Sequence, residues 1–250
     1  MDYHFAIDVE RLVAITEPYL AGGFSFLSAG ASDGVIADPV YPLLERWGGR
    51  GVAAEPVPYV FDRLVQNYAH HAEVVCLPVA VAPRSGTMDF WYVEPGHSGL
   101  EYIVQAMGTS TREHLLYTIT RLQQITNLQP EPMHHPAHPP TVDRFSGSGI
   151  PGDLDRYVRS VPVEALTFDE LLARARLDHV DLVNLDVEGL DYDIFTTVDW
   201  QRWRPAVVII ETYEMTDHEQ RTVFTTFADL GYRHAGPFSL FSNVFVLDRP

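Results

Sequence analysis

Residues 180–195 read VDLVNLDVEGLDYDIF. The run Val180–Leu185 is apolar without alternation, which predicts a strand buried on both faces. It stops at Asp186, and Glu188, Asp191 and Asp193 follow around Gly189 before DYDIFTTV takes up a helical pattern. A buried strand passing through a glycine turn into a helix is one unit of a parallel α/β sheet. The four carboxylates either cap that helix and face water, or mark the floor of a site.

The flanking sequence repeats the unit. FSFLSAG (Phe24–Gly30) reads as a buried strand, PVYPLLERW as a helix, GVAAEP as a second short strand, FDRLVQNYAHH as a helix and EVVCLPVAV as a third strand. SGTMDFWYV has a turn and a roughly alternating aromatic run, the pattern of a hairpin-like strand. TFDE (Thr167–Glu170) is a capping box opening the helix DELLARARL. AVVIIE (Ala206–Glu211) is another buried strand, HEQRTVFTTFADLGY a helix stopped at Gly231, and SNVFVLD a closing strand. Strands alternating with helices predict a doubly wound, Rossmann-like α/β domain over residues 1–250, with ligands at the carboxyl ends of its strands.

Two segments depart from this rhythm. Phe5, Val9, Leu12, Val13 and Tyr19 recur near helical spacing, so residues 1–22 form an amino-terminal helical extension that covers the core or a partner. Residues 127–160 are rich in proline and glycine and read as an insertion or lid. Within it, His134, His135 and His138 resemble a metal tract, but the intervening prolines deny it regular presentation. A solvated loop and a lid base are the two readings.

Composition narrows the function. Hydrophobic residues make up 46% and charged residues 20% of the 250, an ordinary globular composition. Lys and Arg total 17 against 34 Asp plus Glu, and the formal charge of -17 disfavours nucleic acid and anionic membranes. The single cysteine, Cys76, lies in an apolar stretch and reads as a core residue in a reducing compartment. The amino terminus lacks the pattern of a leader and no apolar run is long enough to span a membrane, so a cytoplasmic protein is expected.

SAGASDG (Ser28–Gly34) joins the first strand to the first helix, with Gly30 and Gly34 permitting positive φ or close approach to a ligand. It lacks the full dinucleotide glycine pattern, which weakens the case for a nicotinamide cofactor. Glu55 ends the second strand, where a carboxylate can accept hydrogen bonds from both ribose hydroxyls of a nucleoside. The alternative is an exposed residue before Pro56.

FLSAGASDGV, GVAAEPVPYVFDRLVQNY, VPVEALTFDELLARARLDHVDLVNLDVEGLDYDIF, RPAVVIIE, LGY and NVFVLD together resemble the FkbM-type family of S-adenosylmethionine-dependent methyltransferases. The DVEG block with its upstream TFDELL helix is the most specific part. The resemblance implies a class I methyltransferase fold, with a mostly parallel seven-stranded sheet whose last strand is antiparallel, and O-methylation of a sugar or polyketide hydroxyl. By position, Gly30, Asp33 and Gly34 would line the amino-acid part of S-adenosylmethionine. Glu55 would hold its ribose, and Leu77 and Pro78 would lie near its adenine. Members often carry Asp where Ser28 stands here.

A sugar hydroxyl is a weak acid, so transfer needs a base or a cation as well as alignment. Asp186 and Glu211 end neighbouring strands and can converge on Mg²⁺. Alternatively, Asp186 bonds backbone amides or the cofactor without a metal. Glu188 falls close to the cofactor or acceptor, and Tyr213 is placed for acceptor contact. Asp191 and Asp193 are expected to cap the following helix. Trp91, Trp200 and Trp203 read as packing residues, and GTSTREHLL (Gly108–Leu116) as a polar turn before a helix that either borders the methyl-transfer site or simply carries a cap at Ser110 or Thr111. The leading expectation is a methyltransferase acting on a saccharide or glycosylated natural product. The alternatives are metal-free transfer to a polyketide-type hydroxyl, an NAD-dependent oxidoreductase, and a non-catalytic nucleoside-binding protein. A small-molecule or oligosaccharide acceptor is the expected partner, and the first helix leaves a homodimer open.

Overall fold

The computed structural model describes residues 8–35, 38–94, 108–127, 156–239 and 241–248. In chain order its elements are α1 (Val9–Leu20), β1 (Phe24–Ala29), α2 (Val40–Trp47), β2 (Gly49–Ala54), α3 (Pro58–Asn67), β3 (Val74–Leu77), β4 (Val79–Val81), β5 (Gly86–Val93), β6 (Gly108–Thr109) and α4 (Arg112–Asn127). They continue with β7 (Val158–Leu166), α5 (Phe168–Arg174), β8 (Leu182–Leu185), α6 (Asp191–Thr197), α7 (Trp200–Trp203), β9 (Val207–Glu211), α8 (Asp217–Asp229), β10 (Tyr232–Pro237) and β11 (Ser242–Leu247).

The main sheet has seven strands in the order β10-β11-β9-β8-β1-β2-β3. β1, β2, β3, β8 and β9 pair in parallel, while β11 runs antiparallel to both β9 and β10. The middle strands β1, β8 and β9 are buried along their whole length, which is why their sequences do not alternate. Their side chains nevertheless divide by period two between two cores. Phe24, Phe26, Leu182, Val207 and Ile209 pack with Leu12, Leu20, Leu43 and Leu64 from α1, α2 and α3. Leu27, Ala29, Val183, Leu185, Val208 and Ile210 pack with Leu171, Ile194, Trp200 and Phe227 from α5 to α8. The sheet is therefore wound on both faces.

Helix α1 buries Leu12, Val13, Thr16 and Leu20 in the first of these cores, so the amphipathic face expected at the amino terminus covers the chain's own sheet. On the other face, Trp200 lies between Phe195 and Phe227 with ring centroids 5.6 and 5.1 Å away, and its indole N–H donates to the Phe195 carbonyl at 2.9 Å. Trp200 and Trp203 are packing residues, as expected. The Thr167 capping box is formed: Glu170 accepts the Thr167 amide at 2.9 Å and Thr167 accepts the Glu170 amide at 3.3 Å.

Three features differ from the sequence reading. EVVCLPVAV is two strands rather than one, because Pro78 has no N–H to continue a ladder. β3 stays with β2, and β4 pairs with β7 in a separate four-stranded sheet ordered β4-β7-β5-β6. That second sheet was not foreseen, although SGTMDFWYV does form β5, antiparallel to both β6 and β7. Helix α3 starts at Pro58 and ends at Asn67, so His70 and His71 lie beyond it. Most of the 127–160 insertion, including His134, His135 and His138, lies outside the described residues; Asn127 belongs to α4 and Val158–Ser160 to β7. Among the described residues no helix is long and apolar enough to cross a membrane.

Gly51 shows how tightly the first core is filled. A Cβ on it would stand 2.4 Å from the Phe26 ring and 2.5 Å from the Phe26 carbonyl oxygen. Gly51→Ala is expected to destabilise the protein by about 1–3 kcal/mol through overpacking. Urea unfolding would register this as a lower midpoint at unchanged slope.

Candidate active site

The carboxyl ends of β1, β2, β8 and β9 lie side by side, and the turns that leave them carry ionisable residues. The chain turns out of β1 at Gly30, where φ is +74°. The amides of Gly30 and Ala31 both donate to the Ala54 carbonyl at 3.0 Å, tying this turn to the end of β2. A Cβ on Gly30 would stand 1.7 Å from the Asp186 carbonyl oxygen, so only glycine lets the β1 and β8 turns meet. Gly34 answers a different need: a Cβ there would lie 2.6 Å from Leu64 and 2.8 Å from Tyr68 at the end of α3. Asp33 is fully buried and accepts the Val35 amide at 3.0 Å, which braces the loop from within.

Glu55 follows β2 and is 5% exposed. Its two oxygens accept the amides of Val57 at 2.8 Å and Ser32 at 3.1 Å. Burial nevertheless dominates and pushes its carboxyl up to about 8. The amides hold the group in one orientation beside the Gly30 turn, and each oxygen retains acceptor capacity. The Leu77 carbonyl accepts the Glu55 amide at 3.1 Å, so Leu77 and the exposed Pro78 adjoin it. Ser28 is fully buried, and its hydroxyl accepts from the Asn184 amide at 3.2 Å. This half of the strand-end surface offers carboxylate and backbone acceptors suited to the hydroxyls of a nucleoside.

The other half is acidic. Asp186 and Glu211 directly follow paired positions of the neighbouring strands β8 and β9, so their carboxyl groups face one another's charge. Glu211 is 6% exposed, and its Oε2 is buried with no hydrogen-bond partner. Glu188 adopts φ +57°, a left-handed conformation that costs a non-glycine residue energy and turns its side chain toward the same group. Burial first, and the neighbouring carboxylates second, push Asp186, Glu188 and Glu211 above the ordinary carboxylate range. No arginine is among the main influences on any of the three. Asp186 and Glu188 are half-buried. Tyr213 is also half-buried and meets Phe241 edge to face, with centroids 5.0 Å apart.

Asp191 is not the solvent-facing cap expected. It is 4% exposed, and its carboxylate accepts the amides of Val187 at 3.1 Å and Gly189 at 3.3 Å. It braces the turn that carries Glu188, whereas Asp193 is exposed in the first turn of α6 as expected. Cys76 is half-buried, and burial pushes its thiol up to about 11, so it is unreactive.

Two residues that the sequence reading did not single out join the acidic group. His114, near the start of α4, places Nε2 2.7 Å from Oε2 of Glu214. The Thr118 hydroxyl donates to the other Glu214 oxygen at 3.3 Å. One ligand atom each from His114, Glu188 and Glu214 lies within 4.8 Å of the others. Thr111 accepts the His114 amide at 3.2 Å, so GTSTREHLL does contain a helix cap.

The sequence matches the profile of the methyltransferase FkbM domain over residues 28–234. No curated protein matches it in sequence. The fold superposes on a methyltransferase FkbM from Methylobacillus flagellatus KT at a TM-score of 0.50 and 10% identity, covering 90% of this chain and 44% of that one. The chain thus spans less than half the length of that structure. A precorrin-6y C5,15-methyltransferase from Geobacter metallireducens GS-15 aligns at a TM-score of 0.42 and 11% identity, over 99% of this chain and 95% of that one. Aeropyrum pernix fibrillarin, solved with natively bound S-adenosyl-L-methionine, aligns at 0.40 and 9% identity, over 94% of this chain and 71% of that one.

Behind the Gly34 loop, Asp38 is buried, accepting the Val40 amide and the Tyr68 hydroxyl, each at 2.7 Å. Burial pushes its carboxyl from 3.8 up to about 7. The folded protein therefore keeps this proton where the unfolded chain has released it, and stability falls as pH rises from about 4 through 7. Asp38→Asn removes that titration. Its melting temperature is expected to fall less steeply than the wild type's across this window, a relative gain of about 2–4 kcal/mol by pH 7. Thermal unfolding at a series of pH values would check it.

Proposed function

The chain belongs to the FkbM methyltransferase family, and on that premise we propose that it is a cytoplasmic S-adenosylmethionine-dependent O-methyltransferase. In this reading it methylates a hydroxyl of a saccharide or glycosylated natural product, assisted by a divalent cation. The observation that carries the reading is the pairing of a locked, buried Glu55 beside the Gly30 turn with the acidic ends of β8 and β9. The first suits a nucleoside and the second a hydroxyl that must lose its proton.

The donor set fits the cofactor. Glu55 would accept from the ribose hydroxyls, the turn at Gly30 would admit the amino-acid part, and Leu77 and Pro78 would border the adenine. Asp33 and Gly34 would act from behind, since Asp33 braces that loop and Gly34 seats it on α3. Bound S-adenosylmethionine supplies a methyl group already activated on sulfur, and a divalent cation supplies Lewis acidity. The remaining work falls to the chain's own residues. Asp186 and Glu211 would hold the cation, for which the unpartnered Oε2 of Glu211 is a free ligand atom. Glu188 and Tyr213 would orient the acceptor hydroxyl in line with the methyl group.

Glu55→Gln is expected to weaken S-adenosylhomocysteine binding about tenfold, the worth of a ribose hydrogen bond lost at a buried acceptor. Calorimetry would measure this, and binding of NAD without S-adenosylhomocysteine would overturn the cofactor assignment. In a methyl-transfer screen over partly methylated sugars and glycosides, exhaustive chelation is expected to abolish activity and Mg²⁺ to restore it. Full activity after chelation would remove the cation from the reading.

A further inference from the structure

We propose that His114, Glu188 and Glu214 form a site for one divalent transition-metal cation such as Mn²⁺ or Zn²⁺, beside the Asp186–Glu211 pair and separate from it. The site itself stands on geometry; only its use, holding an acceptor oxygen, rests on the methyl-transfer reading.

The three ligand atoms lie within 4.8 Å of one another, close to the span of donors that share one ion through bonds of about 2.0–2.2 Å. His114 Nε2 and Glu214 Oε2 are 2.7 Å apart and both buried, yet neither has an aligned hydrogen-bond partner. That is the arrangement of two ligands facing a shared point, not of a donor facing an acceptor. The surrounding contacts hold each ligand in place. Thr118 occupies the other oxygen of Glu214 and leaves Oε2 free, the kind of outer contact that orients metal ligands. Asp191 grips the amides on either side of Glu188. Gly189 leaves room for the imidazole, since a Cβ there would stand 2.8 Å from His114 Cε1 and Nε2.

Glu211, whose charge is felt alongside those of Glu188 and Glu214, adds that positive charge is wanted in this acidic group whichever ligands hold it: it is 6% exposed, with one carboxylate oxygen buried and unpartnered. The chain has no lysine, its 17 basic residues all being arginine. One imidazole nitrogen and two carboxylate oxygens make a mixed donor set, which suits Mn²⁺, Fe²⁺ or Zn²⁺ better than the all-oxygen shell preferred by Mg²⁺. Three protein ligands also leave coordination positions open for a hydroxyl oxygen.

Another histidine–carboxylate group provides a control. Oε1 of Glu45 lies 2.7 and 2.8 Å from the Nε2 atoms of His70 and His71, ahead of β3 at the amino edge of the sheet. The test uses the full chain with His70→Ala and His71→Ala, titrated with Mn²⁺ and followed by the paramagnetic resonance of the free ion. A bound Mn²⁺ with nitrogen modulation from an imidazole in the pulsed spectrum is expected, with or without a second ion at Asp186 and Glu211. His114→Ala and Glu214→Gln should each weaken binding at least tenfold, and the nitrogen signal should vanish in His114→Ala. The pulsed spectrum of the parent protein needs neither variant to fold. No bound ion, a bound ion without nitrogen modulation, or unchanged affinity in His114→Ala would overturn the site. S-adenosylhomocysteine binding, measured in parallel, separates the two ideas: its absence alongside the expected Mn²⁺ pattern refutes the methyl-transfer reading and leaves the ion site standing.

Discussion

The meeting of two turns, at Gly30 and Asp186, governs the rest of the molecule. β1 and β8 are neighbours in the sheet, but the helix after β1 goes to one face and the helix after β8 to the other. The chain must therefore diverge between these strands, and such a switch point is where open α/β sheets bind ligands. Gly30 makes the divergence tight, because its missing side chain is the space that the Asp186 carbonyl fills. Glu55 is drawn in from β2 by the Ser32 amide of the same turn, and Asp186 joins Glu211 on the other side. One backbone contact thus sets the Glu55 carboxyl beside the acidic ends of β8 and β9.

The acidic half runs against the usual preference of a folded chain. Gathering Asp186, Glu188, Asp191 and Glu211 at one place, beside Glu214, costs desolvation and mutual repulsion, both visible in the raised proton affinities of the first four. Asp191 offsets part of its own cost by accepting two backbone amides, and in doing so it holds Glu188 in a strained conformation. A stability-driven sequence would not keep such an arrangement. A site that binds a proton, a cation or a polar acceptor has reason to. In the proposed methyl-transfer reading, the carboxyl ends of β8 and β9 would form the acceptor side.

Much of the fold was legible because burial leaves a mark on composition. Strands covered on both faces must be apolar throughout, so FSFLSA, LVNL and VVIIE announced themselves, and the Thr167 capping box announced the helix between two of them. The second sheet was not legible. β7 reads VRSVPVEAL, a partly exposed strand whose meaning depends on β4 and β5 far away in sequence. Pro78 was visible, but only pairing shows that the two halves of EVVCLPVAV join different sheets.

The site divides the same way. By itself, the sequence determined that a parallel α/β sheet would carry a glycine turn after β1, a carboxylate after β2, and acids after β8 and β9, because the order of βα units dictates which residues fall at strand ends. Tertiary structure alone decided which of those residues share a volume. It turned Asp191 from a helix cap into a brace, set Gly34 and Asp33 behind the loop, and brought His114 and Glu214 to Glu188. The physical reason is that strand ends are fixed by local pattern, whereas the approach of α4 to the β8 turn depends on long-range packing, including the room left by Gly189, that no local pattern encodes.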